Sequence, residues 1–144
     1  MKLDKLGLIS KYEVIRETDL GYMLKSPGDE DEFFLHRNET NFKKLYPGDT
    51  VDAFLYLDKQ KRPALTLYLP LATIFKGALC DVVSVTSAGA FINIGISKDI
   101  LMSSDDFGYE EMPKRGDKLP IKLRVKGENI YAKLLNKEEM LENI

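Results

Sequence analysis

The side chains of this sequence that are best placed for chemistry are suited to holding a ligand. Phe91 lies in Gly89-Ala90-Phe91-Ile92-Asn93-Ile94-Gly95, where Ala90, Ile92 and Ile94 fall on one face of a strand and Phe91 and Asn93 on the other. The aliphatic set belongs in a core. That turns the Phe91 ring outward, either as a base-stacking platform or as an aromatic packed beneath a neighbouring loop or domain. His36, the single histidine, shares strand parity with Phe34, opposite Phe33 and Leu35. An imidazole there can stack on a base or hydrogen-bond a phosphate; its plain alternative is a solvated strand end. Arg62 can pair with phosphate or stack on a base, and its plain alternative is an ion pair with Asp58. Lys118, Lys122, Arg124 and Lys126 share parity, so they line one face as a phosphate-tracking stripe or as an ordinary solvated strand face.

Chemistry that breaks bonds has less to build on. His36 and Cys80 fall in different halves of the chain and supply no nucleophile–base pair. No metal-ligand spacing, phosphate-binding loop or dinucleotide fingerprint occurs, so neither a metal nor a cofactor is expected, nor an enzyme. Cys80 sits inside an apolar strand and reads as a small core residue; as the one cysteine, it has no internal disulfide partner.

With 144 residues, 44% hydrophobic and 31% charged, the chain is long enough for one ordinary domain or two very small ones. No apolar run approaches the roughly 18 residues of a membrane span. Met1-Lys2-Leu3-Asp4-Lys5 lacks the apolar core of a signal peptide, and a cytoplasmic protein is expected. Basic residues number 21 against 23 acidic, a net charge of −2. Nucleic-acid affinity rests largely on neutralising phosphates, so binding here would need a local cationic surface and would be modest and salt-sensitive.

The elements that must position these residues come from a repeat. Gly7-Leu8-Ile9 and Gly77-Ala78-Leu79 open two similar halves, followed by the turn glycines Gly21 and Gly89. Pro47-Gly48-Asp49-Thr50-Val51 then matches Arg115-Gly116-Asp117-Lys118-Leu119, a turn delivering the chain into a strand. Strands are predicted at about 7–17, 21–26, 31–36, 50–57 and 62–68, then at about 77–86, 90–96, 99–103, 118–126 and 129–135. The linking stretches 37–49 and 104–117 have room for a helical turn. The predicted class is all-β, with two five-stranded antiparallel barrels in residues 1–70 and 71–136. Ile92 and Ile94 should be buried with Asn93 exposed, and Tyr22, aligned with Ala90, should face the core. Residues 137–144 look like a short C-terminal helix start capped by Asn136, with Met140, Leu141 and Ile144 as an apolar stripe.

Five short strands, with Gly-Ala-Phe on the second and Gly-Asp entering the fourth, resemble the S-one RNA-binding domain, an OB-fold. Residues 77–135 resemble it more, and residues 7–68 resemble a degenerate copy. The tandem arrangement, with Ser87 to Gly95, Lys98-Asp99-Ile100-Leu101, Arg115-Gly116-Asp117-Lys118-Leu119, Ala132-Lys133-Leu134, Tyr56-Leu57-Asp58 and Ala64-Leu65-Thr66, is similar to the bacterial conserved virulence factor B family. The resemblance implies single-stranded RNA as partner, a part in post-transcriptional or virulence gene regulation, and further C-terminal domains of which this chain is the N-terminal portion. It also implies site residues. The second-strand phenylalanine of the S-one pattern is Phe91, its third-strand histidine corresponds to His36 in the first half and to Met102 in the second, and its aspartate and arginine four apart match Asp58 and Arg62. Phe34, Lys122 and Arg124 complete the RNA-binding set drawn from strand parity and charge. The alternative function is a protein-interaction or structural OB-fold module that holds other domains in place.

Overall fold

The structure, a computed structural model, describes residues 3–107 and 112–143. The chain divides into two compact units, Met1–Leu69 and Pro70–Ile144.

In the first unit, β1 (Ile9–Glu17), β2 (Gly21–Lys25), β3 (Glu32–His36), β4 (Thr50–Leu57) and β5 (Pro63–Thr66) close into a barrel in the order β1-β2-β3-β5-β4. Alternation decides which side chains fill it. On β3, Phe33 and Leu35 are buried while Phe34 and His36 are half-exposed on the outer face. Tyr12, Val14, Tyr22, Leu24, Leu55 and Leu65 are fully buried, and Tyr22 is in the core as expected. The expectation of a wholly antiparallel barrel is corrected at one pair: β3 and β5 run parallel, with Phe34 opposite Ala64 and Leu35 opposite Leu65. The reason is geometric. Strand directions can alternate all the way round a closed ring only if the number of strands is even, so a ring of five must contain a parallel pair.

In the second unit, β6 (Ala78–Thr86), β7 (Gly89–Asn93), β8 (Ile100–Ser103), β9 (Lys118–Lys126) and β10 (Asn129–Leu134) form a five-stranded sheet in the order β10-β9-β6-β7-β8. The edge strands β8 and β10 lie close to each other without a ladder of paired residues, so the seam that is a parallel pair in the first unit stays unpaired here. Ala90, Ile92 and Ile94 are completely buried and Asn93 is exposed, as the alternation requires. After β10, Asn136 and Glu139 form a reciprocal cap: Glu139 N–H donates to Asn136 Oδ1 at 2.8 Å, and Asn136 N–H to Glu139 Oε1 at 3.2 Å. The helix α1 (Lys137–Asn143) follows, with Leu141 exposed; Ile144 of the expected apolar stripe lies outside the described residues.

The repeat is exact in its hydrogen bonds. Gly48 N–H donates to Val14 O at 2.8 Å, and Gly116 N–H to Val82 O at 2.8 Å. Val14 and Val82 N–H donate in turn to Asp49 O and Asp117 O, both at 2.8 Å. A bulge interrupts β1 between Val14 and Arg16, and β6 between Val82 and Ser84. Each linking stretch begins with a 3-10 turn, Arg37–Glu39 in one and Ser104–Phe107 in the other.

Candidate nucleic-acid interface

On the outer face of the first barrel, cross-strand register lines up Met23, Phe34, Ala64 and Tyr56 across β2, β3, β5 and β4. Ala64 is the small residue between two aromatics, and its lack of bulk leaves a hollow. Phe34, His36, Asn38, Glu39, Tyr56, Asp58, Arg62 and Ala64 are among the residues lining a cleft there of about 290 Å³. The four first-half residues singled out in the sequence, Phe34, His36, Asp58 and Arg62, therefore meet in one place.

Each is held differently. The Phe34 and His36 rings meet edge to face at 5.9 Å. His36 Nδ1 accepts a hydrogen bond from Asn38 N–H at 3.0 Å, so the neutral ring carries its proton on Nε2 as a donor. Asp58 organises the β4–β5 loop. Its Oδ1 accepts from the backbone N–H groups of Gln60 at 2.8 Å and Arg62 at 2.9 Å, and its Oδ2 accepts from Arg62 Nε at 3.0 Å. Partial burial pushes the Asp58 carboxyl upward, but the hydrogen bonds and charge from Arg62 and Gln60 outweigh it and hold the group below its ordinary range. Arg62 is anchored through Nε while its side chain stays 69% exposed, which leaves the outer edge of the guanidinium toward solvent. At the back of the cleft, Glu39 accepts from the buried Thr66 hydroxyl at 2.9 Å. The arrangement offers an aromatic platform, an imidazole donor and an anchored cation within one hollow, the set needed to stack a base and hold its phosphate.

The second unit distributes its residues otherwise. Phe91 is half-exposed on the outer face of β7, opposite Ser84 and Leu101. Lys122 and Arg124 share the outer face of β9, opposite Lys133 and Tyr131 of β10. A groove of about 640 Å³ runs between Ser103, Asp106, Arg124, Lys126, Asn129 and Tyr131, and Phe91 is not among its lining residues. Arg124 approaches Asp106 Oδ1 at 3.6 Å, and Lys118 is bound to Asp81 at 2.8 Å, so part of the basic stripe is already neutralised. Register also corrects the position that matches His36. Gly21 faces His36, and Gly89 faces Ser103, so the counterpart is Ser103; Met102 points into the core.

Sequence reasoning missed Asn38 and Tyr56 in the first cleft and Ser103, Asn129 and Tyr131 in the second. Tyr56 lies two residues before Asp58 at the end of β4, and Tyr131 lies one hairpin away from Arg124, so parity and pairing were the signals available. Phe42 was missed too: it is 98% exposed on left-handed backbone at φ 64°, next to Asn41 at φ 53°.

Comparison with known proteins matches each unit to a domain family. Residues 6–68 match the S1 domain, the S-one domain of the resemblance, and residues 78–133 match the first S1-like domain of conserved virulence factor B. The general S1 description falls on the first unit, which holds the assembled cleft. The uncharacterized protein YitL of Bacillus subtilis is 35% identical over 76% of this chain and 37% of its own length. Conserved virulence factor B of Staphylococcus aureus is 27% identical over 100% of this chain and 49% of its own. The chain therefore spans half or less of the curated relatives it matches. A crystal structure of a Streptococcus pneumoniae multidomain protein with nucleic acid binding domains superposes with a TM-score of 0.79 at 28% identity, over 96% of this chain and 48% of that one. With both units matched to S1-type domains and with relatives aligned along its length, this chain belongs to the conserved virulence factor B family.

Proposed function

We propose that this chain is a non-catalytic module that binds single-stranded RNA in the cytoplasm and serves post-transcriptional control, virulence genes among its targets, alongside further domains of a longer protein. The observation that carries this reading is the meeting of Phe34, His36 and Arg62 in one cleft. A ring stacks on any base, a cation tracks the backbone, and together they suit an unpaired strand whose bases are splayed out. The similarity to a protein with nucleic acid binding domains supports the same direction. The net charge of −2 limits the affinity, which then depends on the local cations Arg62, Lys122 and Arg124. Phe91, beside Leu101, extends an apolar surface next to the groove of the second unit. The experiment is a titration of a labelled single-stranded oligoribonucleotide at several salt concentrations, with a duplex and a single-stranded DNA as competitors. Saturable binding that weakens with salt and is displaced poorly by the duplex is expected. No binding at low salt would leave the protein-interaction reading in its place.

A further inference from the structure

The groove of the second unit is not a worn copy of the first cleft. Where the first unit has Ala64 opposite Tyr56, the second has Tyr131 opposite Arg124. The aromatics of β3 and β4 give way to one on β10, next to a cation. Arg124 and Asp106 stand 3.6 Å apart, an ion pair but too long for a hydrogen bond. The other carboxylate oxygen, Asp106 Oδ2, is buried without a hydrogen-bond partner. Buried acceptors nearly always find a donor, so this carboxylate stands with acceptor capacity to spare. Oδ2 itself is sealed from solvent, and turning the group only exchanges two equivalent oxygens, so the acceptor that the groove can use is the one facing Arg124 across 3.6 Å.

We propose that this groove is a base-selecting subsite, in which Tyr131 stacks a base, Arg124 and Lys126 hold its phosphate, and Asp106 accepts from its exocyclic amine. The proposal rests on the reading that the chain binds single-stranded RNA, and adds which bases it prefers. Cytosine and adenine carry an amine donor on the edge where uracil carries a carbonyl acceptor. A carboxylate attracts the first two and repels the third.

The test follows the backbone amide signals of Ser103, Asn129 and Tyr131 by NMR while the chain is titrated with short oligo(C), oligo(A) and oligo(U). Oligo(C) and oligo(A) are expected to shift these signals at roughly tenfold lower concentration than oligo(U), the worth of one charge-assisted hydrogen bond. Asp106→Asn should abolish that preference, since an amide can turn a donor or an acceptor to the base. Tyr131→Ala should weaken all three by about 5- to 150-fold. Equal affinity for oligo(C) and oligo(U), or signals here that stay still while those of His36 and Asn38 move, would overturn the subsite and leave RNA binding standing. A chain whose signals do not move anywhere at low salt would overturn both. Should Asp106→Asn fail to fold, the parent's ranking of the three oligonucleotides and Tyr131→Ala decide the matter.

Discussion

The Asp58 carboxylate is joined to Arg62 twice, through the Arg62 guanidinium Nε at 3.0 Å and through the Arg62 backbone N–H at 2.9 Å. The two residues therefore have different work. Asp58→Ala removes the acceptor for three donors and should destabilise the first unit by about 1–2 kcal/mol, weakening binding through the lost loop shape. Arg62→Ala keeps the backbone bond, so stability should change by less than about 0.5 kcal/mol at this exposed site. It should instead flatten the salt dependence by about 0.7 in the log–log slope, one phosphate contact on a single strand. Denaturant unfolding of both variants beside salt-dependent titrations separates the two roles. A large stability loss in Arg62→Ala would show that the pair is structural only.

Much of this was legible beforehand, and the limits are physical. Strand positions agree within one to three residues because alternation and turn residues are local signals. The same parity placed Phe34 with His36 and buried Ile92 and Ile94. The parallel β3–β5 pair was not legible, since it depends on how many strands close the ring. The second groove was missed because Tyr131 and Arg124 become neighbours only through the β9–β10 register, while Asp106 comes from a 3-10 turn on another part of the chain. The match of His36 to Met102 slipped by one residue, as the span from Gly89 to the facing Ser103 is one residue shorter than that from Gly21 to the facing His36. A slip of one is enough to exchange the outer face for the core.

Gly21 and Gly89 are required by close approach. A Cβ on Gly21 would stand 2.1 Å from Leu35 O, and one on Gly89 2.0 Å from Met102 O, with Gly89 also at φ +143°. Gly21→Ala and Gly89→Ala should each destabilise by about 2 kcal/mol or more, because the obstacle is backbone of the paired strand. Thermal unfolding measures this. A variant that keeps the parent's stability would show that the paired strands separate without cost.

Cys80 gives the second unit a pH dependence of known sign. Burial, helped by Asp81 and opposed by Lys118, pushes the thiol from 9.0 to about 11. Above pH 9 the unfolded chain loses this proton while the folded chain keeps it, so the stability from Cys80 is full below pH 9 and is lost as pH rises toward 11. Cys80→Ala should be less stable than the parent at about pH 8 through lost packing, and the gap should narrow by about pH 10. A gap that stays constant in denaturant titrations would mean that the thiol ionises alike in both states.

Phe42 holds a bulky residue at φ 64° with its side chain 98% exposed. Left-handed backbone costs a residue with a Cβ about 1–2 kcal/mol, and almost no packing is lost on removing this ring. Phe42→Gly should therefore leave stability unchanged or raise it by up to about 1 kcal/mol, after the entropy of glycine in the unfolded chain is counted. A loss of more than about 1 kcal/mol in denaturant unfolding would show that the ring supports the loop.

The most direct measurement is the affinity of a labelled single-stranded oligoribonucleotide for the parent chain and for Phe34→Ala, at several salt concentrations and with folding verified. Phe34 stands on the outer face, so its loss should spare the fold and remove the stacking platform of the first cleft. Affinity should fall by about 1–3 kcal/mol with the salt slope unchanged, because no phosphate contact is lost. A folded Phe34→Ala chain that binds as tightly as the parent would contradict the account.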